Sequence, residues 1–132
     1  MTSPVIYISG PISNPETRLV YRNLRRFFAA ESALLLRGVA PINPASDVFS
    51  LMLWDDGVFE DEELFWSVFT AKDEALVRAA HGLYLLPEWT TSAGARLEVG
   101  WSVQSGVPYS TDMEDIIDLA TNYMLSLEEV AL

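Results

Sequence analysis

The stretch Gly82-Leu-Tyr-Leu-Leu-Pro-Glu-Trp-Thr-Thr-Ser-Ala-Gly-Ala-Arg-Leu-Glu98-Val-Gly100 decides the fold. Leu83 to Leu86 is a short apolar run bounded by Gly82 and Pro87, the pattern of a buried strand. A polar loop with Thr90, Thr91, Ser92 and Gly94 follows, and then a helix begins. Glu98 falls near the first turn of that helix, just past the carboxyl end of the strand. In open α/β sheets ligands bind at such strand ends. A glutamate near a helix start also serves the helix dipole, so its position alone does not decide its role.

Working outward, residues 4–9 predict a first strand, and Gly10 to Ser13 a tight turn. Asn14-Pro15-Glu16 reads as the start of a helix running to about Arg37 and closed by Gly38. Leu24, Phe27, Phe28, Leu34 and Leu35 are expected to face the sheet. Arg18, Arg22 and Arg26 form a stripe at four-residue spacing, expected to be a solvated face or a subunit contact. Residues 39–43 predict a second strand, with Pro41 marking an edge position. Residues 46–60 suggest an excursion that could serve as a lid. A helix is expected from about Asp61 to Ala80, with Leu64, Phe65, Val68, Phe69, Leu76 and Val77 inward and a possible break near Thr70. After the third strand and its helix come a fourth strand over 106–110 and a last helix capped by Thr111 or Asp112. Strand–helix alternation over 132 residues predicts one small, doubly wound α/β domain with a parallel sheet of four to five strands.

Composition narrows the function classes. The chain has no cysteine and one histidine, which excludes thiolate and multi-histidine metal sites within one chain and fits a cytoplasmic protein. No apolar run approaches a membrane span, and no signal peptide is apparent. The formal charge is −11, which disfavours a nucleic-acid polymer as partner. Five of the eight basic residues lie in residues 1–37, while residues 55–63 hold six acids and no base. A small anionic ligand remains compatible if local donors overcome the general field.

Three segments meet at strand ends: Tyr7 to Ser13, Asn43-Pro44, and Ser92 to Glu98. With Tyr7-Ile-Ser-Gly-Pro11, Gly38 through Asn43-Pro44-Ala45, Asp73, Tyr84-Leu-Leu-Pro-Glu-Trp89 and Ser92-Ala-Gly-Ala-Arg-Leu-Glu98, the chain resembles the nucleoside 2-deoxyribosyltransferase superfamily over roughly residues 4–110. The likeness is greatest to its small phage and bacterial members and to its nucleotide 5′-monophosphate N-glycosidases. The resemblance implies cleavage of an N-glycosidic bond without metal or organic cofactor. It implies Glu98 as nucleophile, Tyr7 as the residue that orients it, and Asp73 as the group assisting the leaving base. A serine six residues before the glutamate, here Ser92, is what the monophosphate hydrolases carry; the free-nucleoside transferases carry an aspartate. A hydroxyl donates to a phosphate where a carboxylate repels it. The loop with Ser9, Gly10 and Ser13, together with Asn43 and Gly94, is expected around the substrate, and Trp89 or Trp54 to pack or to stack on a base. In those hydrolases an arginine stands where this chain has Ser13, so the cation is expected from Arg18 or from a neighbouring subunit. A homo-oligomer, dimer or tetramer, is likewise implied.

The expected function is therefore release of free base from a (deoxy)nucleoside 5′-monophosphate. The alternatives are base exchange by a deoxyribosyltransferase, a nucleotide-binding module without turnover, or an acidic protein-interaction domain acting through residues 55–63.

Overall fold

Val5–Ser9 forms β1, and every neighbouring element is placed by it. In the computed structural model, residues 3–46 and 62–131 are described. β1 pairs on one side with β2 (Ala40–Ile42) and on the other with β3 (Gly82–Leu85), which in turn carries β4 (Tyr109–Ser110). All three pairings are parallel, and the order is β2-β1-β3-β4. Four long helices flank the sheet among the described residues: α1 (Thr17–Leu36), α2 (Glu62–Ala79), α3 (Ala93–Ser105) and α4 (Met113–Ala131). This is the doubly wound α/β architecture expected from the alternation of elements. The excursion expected over 46–60, with Trp54, lies outside the described residues from position 47 onward.

β1 is buried on both faces, as a central parallel strand must be. Ile6 and Ile8 point to one side and pack with Phe27, Ala30 and Leu34 of α1 and with Ile116 and Ala120 of α4. Each isoleucine so buried contributes roughly 2 kcal/mol. Tyr7 points to the other side, among Val77 of α2, Leu83 and Leu85 of β3 and Trp101 of α3. Pro41 sits on β2, which is an edge strand, so its missing N–H breaks no ladder.

Several local expectations are corrected. Helix α1 begins at Thr17, not at Pro15, because the Asn14 side chain accepts the Glu16 amide two residues on (2.9 Å) and closes a turn ahead of the helix. Gly38 does end the helix as expected, at φ 74°, where a side chain would be strained. The buried stripe of α1 is Asn23, Phe27, Ala30 and Leu34. Phe28 and Leu35 each lie one residue, or 100° of rotation, beyond it and are exposed. Helix α2 runs unbroken through Thr70. It is roughly 27 Å long, against about 16 Å for the five residues of β1. Val77 packs beneath the sheet, whereas Leu64 and Val68, in the amino-terminal half and expected inward, are exposed. His81 is structural: its Nδ1 accepts the Val5 amide at 2.9 Å. No helix among the described residues is long and apolar enough to cross a membrane.

Candidate active site

The order β2-β1-β3-β4 makes the crevice between the carboxyl ends of β1 and β3 the point where the winding reverses direction. Strand parity then decides what reaches it. Tyr7 and Ser9 are two residues apart on β1, so both face α2 and α3. Beyond β3, Trp89–Thr91 makes one 3-10 turn, and Ser92 caps α3 by accepting the Ala95 amide at 3.1 Å. Glu98 is the sixth residue of α3, in its second turn, and is buried against the sheet.

There the two elements meet. The Tyr7 hydroxyl donates to Oε2 of Glu98. The Ser9 hydroxyl donates to Oε1 at 2.7 Å. Each carboxylate oxygen thus has its own donor, and both donors stand on one strand. Asp73 of α2 is the third acidic or phenolic neighbour: it lines the same cleft, and its negative charge acts on both Tyr7 and Glu98.

The electrostatics follow from burial. Burial pushes the Glu98 carboxyl up to about 7; the hydrogen bonds from Tyr7 and Ser9 pull it down, and the negative charge of Asp73 pushes it up again. The dipole of α3 adds little to this balance, because its influence fades beyond the first turn. Tyr7 is raised far above the ordinary phenol range, first by burial and then by the charges of Glu98 and Asp73 and its hydrogen bond to Glu98. It therefore keeps its proton and acts as a donor.

A cleft of about 610 Å³ opens over this group, lined by Tyr7, Asp73 and Glu98 together with the loop after β1 and the start of α3. Gly10, Ser13, Ser92 and Gly94, all expected around a substrate, are on its wall. Gly10 is there for a steric reason: a Cβ at that position would lie 2.8 Å from Cβ of Leu86, so the loop could not close on the end of β3.

Three residues expected around the substrate stand apart from the cleft wall. Ser9 is wholly buried with its hydroxyl on Glu98, so it touches the site through the carboxylate. Asn43 is buried, and its side chain is spent on Glu31 (2.6 Å) and on the Ala45 amide (2.9 Å). It lines a smaller neighbouring hollow of about 380 Å³, which shares Asp73 and Pro44 with the main cleft. Trp89 packs against the cluster that holds Tyr7, Leu83 and Trp101.

Of the arginines on the four-residue stripe, Arg22 rather than Arg18 lies on the cleft wall. Arg18 is 80% exposed and pairs with Glu16 at 3.0 Å, whereas Arg22, one turn later, lines the cleft. Its Nη2 donates to Oε2 of Glu88 (2.8 Å) and to Oδ1 of Asn23 (3.2 Å), and Arg26 approaches the same Glu88 oxygen at 3.6 Å. The signal in the sequence was the four-residue spacing of the arginines, which gives them one face but does not say what that face meets.

No curated protein matches the chain. Residues 4–111 match the family described as Domain of unknown function (DUF4406), a span that takes in β1, the cleft and Glu98, and the chain belongs to that family.

Proposed function

We propose that the chain is an N-glycosidase that releases the base from a nucleoside 5′-monophosphate. The observation that carries this reading is the Glu98 carboxylate, buried at the switch point of the sheet, gripped by two hydroxyls and facing a cleft of nucleotide size. The resemblance of the surrounding motifs to the nucleoside 2-deoxyribosyltransferase superfamily supports it.

In this mechanism a Glu98 oxygen attacks the anomeric carbon as the C–N bond breaks, through an oxocarbenium-like transition state. The bonding pair leaves with the base nitrogen, and a proton delivered on the Asp73 side neutralises it. Water then attacks the same carbon and the ester bond to Glu98 breaks, freeing the carboxylate and yielding the sugar phosphate; the proton that the water loses replaces the one given to the base on the Asp73 side. Tyr7 and Ser9 hold the two carboxylate oxygens, so that the nucleophile does not rotate away from the sugar. A desolvated carboxylate is also the stronger nucleophile, and burial is the main cause of the raised Glu98 pKa.

The test is a base-release assay on ribo- and deoxyribonucleosides and their 5′-monophosphates, with Glu98→Ala in parallel. Release confined to monophosphates and abolished by the substitution is the expected result. Release that depends on a second base would make the chain a transferase instead. No release from a panel that includes modified bases would leave a binding module.

A further inference from the structure

Arg22 and Arg26 converge on a single oxygen, Oε2 of Glu88, at 2.8 and 3.6 Å. Two guanidinium groups against one carboxylate leave a net positive charge in a chain of net charge −11. The donors are also not used up: Nε of Arg22 is buried with no hydrogen-bond partner among the described residues, and Nη1 of Arg26, buried too, has only the 3.6 Å ion pair with Glu88 and no hydrogen bond. Buried donors without acceptors are uncommon and point to a missing partner. Glu88 itself is the one described non-glycine residue with positive φ, at 66°. Its backbone is pinned there, since its carbonyl accepts from the amide (3.0 Å) and the hydroxyl (2.7 Å) of Thr91. The strained backbone therefore aims the Glu88 side chain at the arginines. Arg22, Glu88, Thr91 and Ser92 line the same cleft as Glu98.

We propose that Glu88 is an internal counter-ion, which occupies the Arg22–Arg26 pair until the phosphate of a monophosphate ligand takes its place. The inference rests on reading the cleft as a nucleotide site. Chemistry favours the exchange. A phosphate dianion offers three acceptor oxygens and matches the guanidinium fork, so it fills donors that one carboxylate leaves empty. The Arg22–Glu88 pair is partly exposed, with 36% and 47% of the two side chains accessible, so breaking it costs little. The displaced Glu88 swings into solvent. Glu88 thereby sets a threshold: a neutral nucleoside has nothing with which to displace it, and a weakly charged anion competes poorly.

The experiment is titration calorimetry with inorganic phosphate, and with one nucleoside and its 5′-monophosphate, at fixed ionic strength. The proteins are the wild type, Glu88→Gln, Arg22→Gln, Arg22→Lys and the Glu88→Gln/Arg22→Gln double variant. Glu88→Gln is expected to bind phosphate and the monophosphate about tenfold more tightly, and Arg22→Gln about tenfold more weakly. In the double variant the gain from Glu88→Gln disappears, because there is no longer an Arg22 to release. Arg22→Lys keeps the charge without the fork and falls between, which decides the point if Arg22→Gln does not fold. Unchanged or weaker phosphate binding by Glu88→Gln overturns the inference, as does a gain that survives in the double variant. Base release is measured on the same proteins. A Glu88 effect with no base released from any monophosphate would overturn the glycosidase reading alone; base release with no Glu88 effect would overturn the counter-ion alone.

Discussion

Tyr7 and Glu98 are 91 residues apart in sequence and joined by one hydrogen bond, from the phenol to Oε2. The bond lowers the pKa of Glu98, opposing the burial that raises it to about 7. Tyr7→Phe removes that bond and leaves the apolar packing of the ring in place. The acid of Glu98 is then expected to weaken further, so the rising limb of the pH–rate profile moves to higher pH. Base release falls about a hundredfold, as on loss of one preorganised donor. A pH–rate profile superimposable on that of the wild type would show that the hydroxyl does not tune the carboxylate.

Glu98 also makes stability depend on pH in a definite direction. Its folded-state value of about 7 lies above the ordinary 4.5, so the native protein holds a proton that the unfolded chain releases within this window. The stabilisation is full below about pH 4.5 and is lost as pH rises through about 7. Relative to Glu98→Gln, which does not titrate, the wild type is expected to lose about 3 kcal/mol between these limits. Urea unfolding of both proteins at a series of pH values measures the difference, which cancels the titration of the other acids. Parallel curves would contradict a neutral, buried Glu98.

Ser92 has two separable duties. As the cap of α3 it accepts the Ala95 amide, and Ser92→Ala is expected to cost about 1 kcal/mol. Ser92→Asp preserves the cap, since aspartate serves there as well as serine. It also sets a carboxylate on the wall of the cleft. Its melting temperature should stay near that of the wild type while monophosphate affinity drops about tenfold or more and nucleoside affinity holds. Calorimetry and thermal unfolding on the two variants distinguish the duties; equal loss of monophosphate binding in Ser92→Ala and Ser92→Asp would place the whole effect on the hydroxyl rather than on charge.

Gly10→Ala puts a methyl group 2.8 Å from Cβ of Leu86. The expected cost is about 1–3 kcal/mol, with a displaced loop and weaker substrate binding. Leu86→Ala in the same chain retains the offending Cβ and should not restore the loop; Leu86→Gly should. Thermal unfolding of the three variants checks the order.

Much of this architecture could be read from the residues alone, because the decisive signals were local. Short apolar runs ending at Gly and Pro marked β1 and β3, and Gly38 marked the end of α1. The pairing of Tyr7 with Glu98 was anticipated through resemblance; the part played by Ser9 as the second donor was not, since Ser9 was expected with Gly10 and Ser13 around the substrate rather than on the carboxylate. Expectations failed where a helix had to be rotated or extended in space. Phe28 and Leu35 satisfy apolar spacing as well as Phe27 and Leu34 do, and only the sheet decides between them. Arg22 was missed for the same reason: its partner Glu88 is 66 residues away, on a loop whose path depends on a positive φ at that residue.

β1 carries two messages one residue out of phase. Odd positions, Tyr7 and Ser9, address the carboxylate; even positions, Ile6 and Ile8, address the hydrocarbon between α1 and α4. Insertion or deletion of a single residue ahead of Ile6 without compensation would present isoleucine to Glu98 and drive a phenol and a serine into an apolar layer. Chemistry and folding are thus written in one reading frame, and neither can drift along the strand without carrying the other with it.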